Sequence, residues 1–374
     1  MNERLKVVAI AIIATLVLWL PFFLKISSLP GWNLNFSEGT KIVWSNFDGP
    51  NYIEVAKSWY DKEIIRSTFS TPLPLEYYPA HLPFYPLTIN VFSVFFNTPT
   101  AMLVSNLVGT ILACLMFYQL LTKLGLKSKV LMVALTLFLP ARVLVIHGIG
   151  APESWFVFFI LASIYTFRLR RFWLTGLLLA LAQLTKSPGI LLFGALALVA
   201  LFESIQKKSF KHLLQFTPLL LGPIAIVGLF YFYQQQTGDF FAYFHSGDNF
   251  HLFFPPFSIF SPMGAVWTGD FWLEEIIWLW LVYGFGVAML WQDKRYPEFA
   301  FALIFYISTL FVAHRDVSRY LIPIAPLVIL GYQRFLVKFK FKPIYLLALI
   351  PIYLYAWQFM LHNTAPVADW TPYL

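Results

Sequence analysis

Asp48, in the stretch WSNFDGPNYIEVAKSWY (residues 44–60), is the first residue of this chain with the makings of a general base. A carboxylate in Asp-Gly-Pro-Asn has two readings. It can cap the helix that follows, or it can face a cleft and take the proton from an attacking hydroxyl. A second set of residues could neutralise an anion. Arg315 and Arg319, in AHRDVSRYLIPIAPL, stand at the entrance of an apolar run. Guanidinium groups there can reach lipid headgroups, pair with Asp316, or grip a phosphate through parallel hydrogen bonds. Lys186 in LTKSPG and Arg142 in FLPARVLVIHG carry the same choice between anchoring and phosphate contact. An ionisable side chain within a membrane-length run is a functional candidate by default.

Glu153, in GIGAPESWF, opens another apolar run, where a carboxylate also suits the helix dipole. Asp239, in QQQTGDFFAYF, lies in a further turn, and Tyr52, Tyr78, His81 and His314 fall within the same segments as these charges. The histidines lack metal-ligand spacing. HExxH, CxxC, a Walker loop and GxSxG are all missing from the sequence, and GIG at 148–150 alone carries no information. One base and several cations suit displacement at a carbon bearing a phosphate leaving group. The base deprotonates the incoming hydroxyl while the cations stabilise the departing phosphate. Direct displacement with inversion needs a single base, and with Arg and Lys neutralising the charge it requires no metal and no cofactor.

The elements that must position these residues are set by composition. Of 374 residues, 59% are hydrophobic and 12% charged, and the mean hydropathy is +0.70. A soluble domain carries about 25% charged residues, so the expectation is an all-α polytopic membrane protein. The net charge of +8 comes from short basic clusters between apolar runs, a pattern of membrane topology rather than of nucleic-acid binding. Cys114 is the only cysteine, which excludes an intrachain disulfide.

Apolar runs occupy 5–25, 82–97, 100–122, 130–147, 152–167, 172–184, 188–204, 213–234, 272–291, 297–313, 318–333 and 343–361. The first reads as a span rather than a cleavable signal. The second begins with prolines and is short. If it does not cross, the basic clusters from Arg4 through Lys342 share one side, as the positive-inside rule requires. The expectation is therefore about eleven transmembrane helices in one domain over 1–374. The N-terminus is cytoplasmic, and long external loops cover 26–99 and 235–271. Residues 48–60, with Tyr52, Val55, Ala56 and Trp59 at helical spacing opposite Asn51, Glu54, Lys57 and Ser58, predict an amphipathic helix lying in the membrane interface. Runs 172–184 and 188–204 are short, so their junction at Lys186 should be recessed and line a cavity.

Six motifs in order then carry a resemblance. NFDGPNYIEVAKSWY, LPFYPLTI, APES, LAQLTKSPGILL, TGDFFAYF and SRYLIPIAPL resemble segments of the GT-C class of polytopic glycosyltransferases, most of all the PIG-V-like mannosyltransferases. Phe47 and Trp59 depart from that pattern, as does Lys186 where the family has arginine. The resemblance implies a GT-C-like fold and an inverting transfer, of mannose in this subfamily, from a polyprenyl-phosphate-linked donor to a hydroxyl of a lipid, glycan or protein on the extracytoplasmic face. It implies Asp48 as base and Arg319 and Lys186 as donor-phosphate contacts, with Glu153 and Asp239 in the site. It leaves no room for a soluble C-terminal domain. The compartment would be the cell membrane of a prokaryote or the endoplasmic reticulum of a eukaryote, with membrane lipids as surroundings. A transporter or lipid flippase is the competing class, and a protein O-glycosyltransferase or pentosyltransferase the competing reaction.

Overall fold

The structure, a computed structural model, describes residues 2–70, 73–249, 251–261, 273–338 and 343–374. Lys340 and Lys342, and residues 262–271 of the second long loop, lie outside these. Among the described residues the regular elements are all helices, with three isolated β-bridges. Six helices are long and apolar enough to cross a membrane: Glu3–Phe23, Thr98–Lys123, Gly189–Gln206, Thr217–Thr237, Leu273–Gln292 and Pro343–His362. With this composition, the chain is an integral membrane protein.

The other five expected spans are shorter or broken. Glu153–Arg168 has 16 residues, and Phe172–Thr185 and Tyr296–Thr309 have 14 each. At 1.5 Å per residue these reach about 21–24 Å, against about 30 Å of hydrocarbon. Run 130–147 divides at Pro140 into Lys129–Phe138 and Arg142–His147, because proline has no N–H to offer and its ring crowds the preceding turn. Run 318–333 divides into Val317–Tyr320, a 3₁₀ turn at Ile322–Ile324, and Ala325–Gly331 around Pro323 and Pro326. The breaks matter for the site, since Arg142 and Arg319 both stand beside one. Run 82–97 forms only Phe84–Ser93, ten residues or about 15 Å, too short to cross.

Helix Thr98–Lys123 is the packing centre, lying against Glu3–Phe23, Phe84–Ser93 and Glu153–Arg168. Its Asn106 is fully buried, and its Nδ2 donates to the carbonyls of Ile146 (2.7 Å) and Ile149 (2.5 Å). Trp19 Nε1 donates to Gly148 O at 2.6 Å. These bonds fasten the turn 146–150 immediately before Glu153. Gly150 then lets two loops touch: a Cβ there would lie 2.9 Å from Gly49 Cα and 2.3 Å from Met102 Sδ. GIG thus does carry information. It is the close approach that sets the Glu153 turn against the Asp48 turn.

The first loop corrects one expectation. Helix Gly49–Ser58 forms, but Asn51, Glu54 and Ser58 of its polar face are buried along with its apolar one, and Lys57 alone of the four stays exposed. Glu54 is 1% exposed, and both its oxygens accept hydrogen bonds, from the Tyr78 and Tyr373 hydroxyls. Lys57 Nζ donates to Pro372 O at 2.7 Å. Protein covers the side that the pattern assigned to water, because the C-terminal residues fold back over it. Burial pushes the Glu54 carboxyl above its ordinary range, outweighing its two tyrosine donors.

Candidate active site

Asp48 occupies the N-cap position of helix Gly49–Ser58, yet its side chain caps nothing. Among the described residues its carboxylate accepts no hydrogen bond, and its one ionic contact is Arg319 Nη2 at 4.0 Å. The side chain is 34% exposed, and the exposed part faces a cavity of about 1060 Å³. The capping role open to it in the sequence is not used.

Behind the cavity wall, Glu153 is 1% exposed at the first position of helix Glu153–Arg168. Its Oε1 accepts from Lys186 Nζ and from Arg319 Nε, each at 2.8 Å. Its Oε2 is buried with no partner among the described residues. Three separate elements supply this cluster. Helix Phe172–Thr185 stops at Thr185, Lys186 takes extended backbone, and Gly189–Gln206 restarts after Pro188. Lys186 therefore sits at an interruption between two helices, as expected, and lines the cavity. Arg319 comes from the four-residue turn Val317–Tyr320. The bland reading of Glu153 as a first-turn acid that merely suits the dipole is superseded, since it is the anchor of both cations.

Arg142 also lines the cavity, but its guanidinium is already engaged. It is 3% exposed, and its Nη2 donates to Asp316 Oδ2 at 2.5 Å. Its guanidinium lies 3.5 Å from the Phe359 ring centroid and 4.8 Å from that of Phe47. Asp316 thus pairs with Arg142 rather than with Arg315 or Arg319. Arg315 is exposed at the cavity and makes no ion pair among the described residues.

Tyr52 and His81 line the cavity beside Asp48, with Tyr77 as a third ring. The His81 ring meets Tyr52 at 4.8 Å and Tyr77 at 5.2 Å, both edge-on. Burial, with the charge of Asp48 added, pushes the Tyr52 phenol well above its ordinary range and the Tyr77 phenol up to about 12. Burial pushes the His81 imidazole down. These shifts all favour the neutral form of the three rings beside Asp48. His314 also lines the cavity, stacked on His251 at 4.6 Å, and its Nδ1 accepts from the Asp316 N–H at 3.1 Å. Burial, with His251 and nearby arginines adding to it, pushes His314 down to about 4.

Two candidates stand apart. Asp239 is not among the lining residues. It pairs on the surface with His245 at 2.6 Å, a bond that lowers its carboxyl. Tyr78 is buried in the Glu54 cluster, where its hydroxyl donates to Glu54, and is not among the lining residues. Both were placed by sequence neighbourhood, which a single turn of backbone can redirect. Sequence reasoning missed Phe47, Tyr77, His251, Gln358 and His362 on the lining. The last two come from the far end of the chain, and no local signal marks them.

No family model and no curated protein matches the chain. Among solved structures, it is similar to that of ArnT from Cupriavidus metallidurans, a crystal structure with undecaprenyl phosphate bound. The superposition has a TM-score of 0.55 at 14% identity and covers 92% of this chain and 62% of that one. This chain thus spans less than two thirds of the length of that protein. At such an identity the likeness is one of fold, and it supports the GT-C-like fold class expected from the motifs.

Proposed function

We propose that this protein is an integral-membrane glycosyltransferase that takes a sugar from a polyprenyl-phosphate donor and transfers it to a hydroxyl acceptor. The observation that carries the reading is the uncapped carboxylate of Asp48, 4.0 Å from Arg319, in a cavity whose Arg319 and Lys186 share one buried anchor. The ArnT structure holds a polyprenyl phosphate, which supports the same class of ligand here. A cavity of about 1060 Å³ is at the upper end of what small-molecule sites occupy, enough for a sugar phosphate and the first units of its lipid.

In this reading Asp48 takes the proton of the acceptor hydroxyl. The acceptor oxygen attacks the anomeric carbon, and the bond from that carbon to the phosphate oxygen breaks with its electron pair leaving on the phosphate. Arg319, Lys186 and Arg315 stabilise the charge that appears there. One base and one displacement give inversion. Cationic side chains replace a metal in this scheme, so chelation with EDTA should leave transfer intact. The motif resemblance points to mannose as the sugar, and a lipid, glycan or protein can supply the hydroxyl.

The decisive experiment incubates membranes with radiolabelled polyprenyl-phosphate mannose and candidate acceptors, comparing wild type with Asp48→Asn. A loss of about 100- to 10,000-fold at equal protein level is expected. Unchanged transfer by the variant removes Asp48 from the chemistry, and transport of intact donor without transfer favours the flippase class. The reading also puts the cavity on the extracytoplasmic side. Glu153 and Arg168 begin and end one 16-residue helix, about 22 Å apart, and the basic residues Arg168 and Arg170 gather at the far end. In a Cys114→Ser background, Asp248→Cys should react with an impermeant external thiol reagent and Lys208→Cys should not. The opposite labelling overturns this sidedness.

A further inference from the structure

We propose that Phe47 is a positioning residue, whose ring is a shared cation–π platform for Arg319 and Arg142; this rests on the reading of the cavity as a polyprenyl-phosphate site. The Arg319 guanidinium lies 4.3 Å from the Phe47 ring centroid and that of Arg142 lies 4.8 Å from it. Phe359 stacks on Phe47 at 5.5 Å and holds Arg142 at 3.5 Å. One ring therefore touches both guanidinium groups and immediately precedes Asp48 in the chain.

The backbone is a second, independent observation. Phe47 has φ +52°, in the left-handed region that a bulky aromatic residue rarely adopts. Such an outlier persists only where its surroundings over-determine it. Here Phe47 N–H donates to Asn363 O at 3.2 Å and Ala365 N–H to Ser45 O at 2.7 Å. Fully buried Asn46 donates through Nδ2 to Met360 O at 2.6 Å. The last helix and the residues after it pin the strained turn from both sides.

A ring does something here that another carboxylate would not. Arg319 already gives its Nε to Glu153 and turns Nη2 toward Asp48. A further acid would neutralise the charge that an anionic ligand needs. A π face restrains the guanidinium plane while leaving its edge N–H groups free for phosphate oxygens. Arg142 is held in the same manner, with Asp316 on its edge. The ring thus fixes orientation without adding negative charge.

The test uses purified full-length protein in nanodiscs, with undecaprenyl phosphate as the probe and undecaprenol as the phosphate-free control. Wild type should bind the phosphate form more tightly. Phe47→Leu keeps bulk but lacks a π face, and should weaken undecaprenyl phosphate about tenfold while leaving undecaprenol unchanged. Phe47→Trp should restore affinity to within twofold. Because leucine in the left-handed region can misfold, Phe47→Gly is the second variant. It relieves the backbone and removes the ring, and should bind as weakly as the leucine variant while unfolding at a similar temperature. Leu or Gly variants within twofold of wild type overturn the platform, as does a Trp variant as impaired as Leu. Equal wild-type affinity for undecaprenol and undecaprenyl phosphate instead overturns the reading of the cavity itself.

Discussion

Two buried glutamates at opposite ends of one bundle make an instructive pair. Glu298 is fully buried, and both its oxygens accept from Arg168, Nε and Nη2, at 2.6 Å each. One guanidinium meets one carboxylate edge to edge, and neither carboxylate oxygen is left without a partner. Glu153 is equally buried, but one oxygen serves two cations from two different elements while the other has no partner among the described residues. Lys186 and Arg319, 27% and 19% exposed, keep further N–H groups at the cavity. The first pair satisfies its carboxylate with a single partner, and neither of its residues lines the cavity. The second leaves donors in reserve beside an open volume, which is what an anion-binding site requires.

That contrast breaks or holds on a pair of substitutions. Glu153→Gln should reduce transfer on the order of 100-fold, since Arg319 and Lys186 lose their common anchor and with it their preorganisation. Glu298→Gln should instead lower stability by about 3 kcal/mol, with transfer per folded molecule within twofold of wild type. Thermal unfolding and single-time-point transfer separate the two. Equal effects of both variants on transfer would mean that Glu153 is no more than a second structural pair.

The next largest effect concerns the geometry of the cation. Arg319→Ala should raise the donor KM far more than Arg319→Lys, roughly tenfold or more against a few-fold, because lysine keeps the charge but not the fork that reaches Glu153 and Asp48 together. Equal loss in both variants would mean that planarity, rather than charge, is the whole requirement. Equal activity would reduce Arg319 to a lipid anchor.

A smaller effect follows from pH. His314 has a folded-state pKa pushed down to about 4, below the ordinary histidine value near 6.5. The sign follows: the unfolded chain binds the proton more readily. Stability from neutral His314 is therefore fully present above about pH 6.5 and is lost as pH falls toward 4. His314→Gln should flatten the decline in unfolding temperature across that window. An identical decline in wild type and variant assigns it to other groups. The smallest effect belongs to Asp239. Away from the cavity and paired with His245, its replacement by Asn should leave transfer within twofold. A larger loss would bring Asp239 itself into the site, beside the residues of the same loop that already line the cavity.

Much of the arrangement was readable in advance. The interruption at LTKSPG announced itself through two runs too short to cross, and Lys186 does stand between two helices and line the cavity. The turn aspartate and SRY arginine stood out as charges beside apolar runs, and they do meet. Span count was less legible. Hydropathy averages over prolines that divide a run, so 130–147 and 318–333 looked continuous where the backbone is not. For residues 48–60 amphipathic patterning finds the helix but not its surroundings, because it assigns a polar face to water and has no means to anticipate Tyr78 and Tyr373 closing over Glu54.

From the sequence alone come the membrane class, the helical elements and the short set of ionisable groups worth attention. All of these follow from local composition and period, which neighbouring residues decide among themselves. Which of those charges meet is a tertiary matter. Glu153, Lys186 and Arg319 converge across 166 positions of chain, and the turn before Asp48 is pinned by residues more than 300 positions away. An ion pair depends on distance and desolvation, and neither exists until the helices have packed.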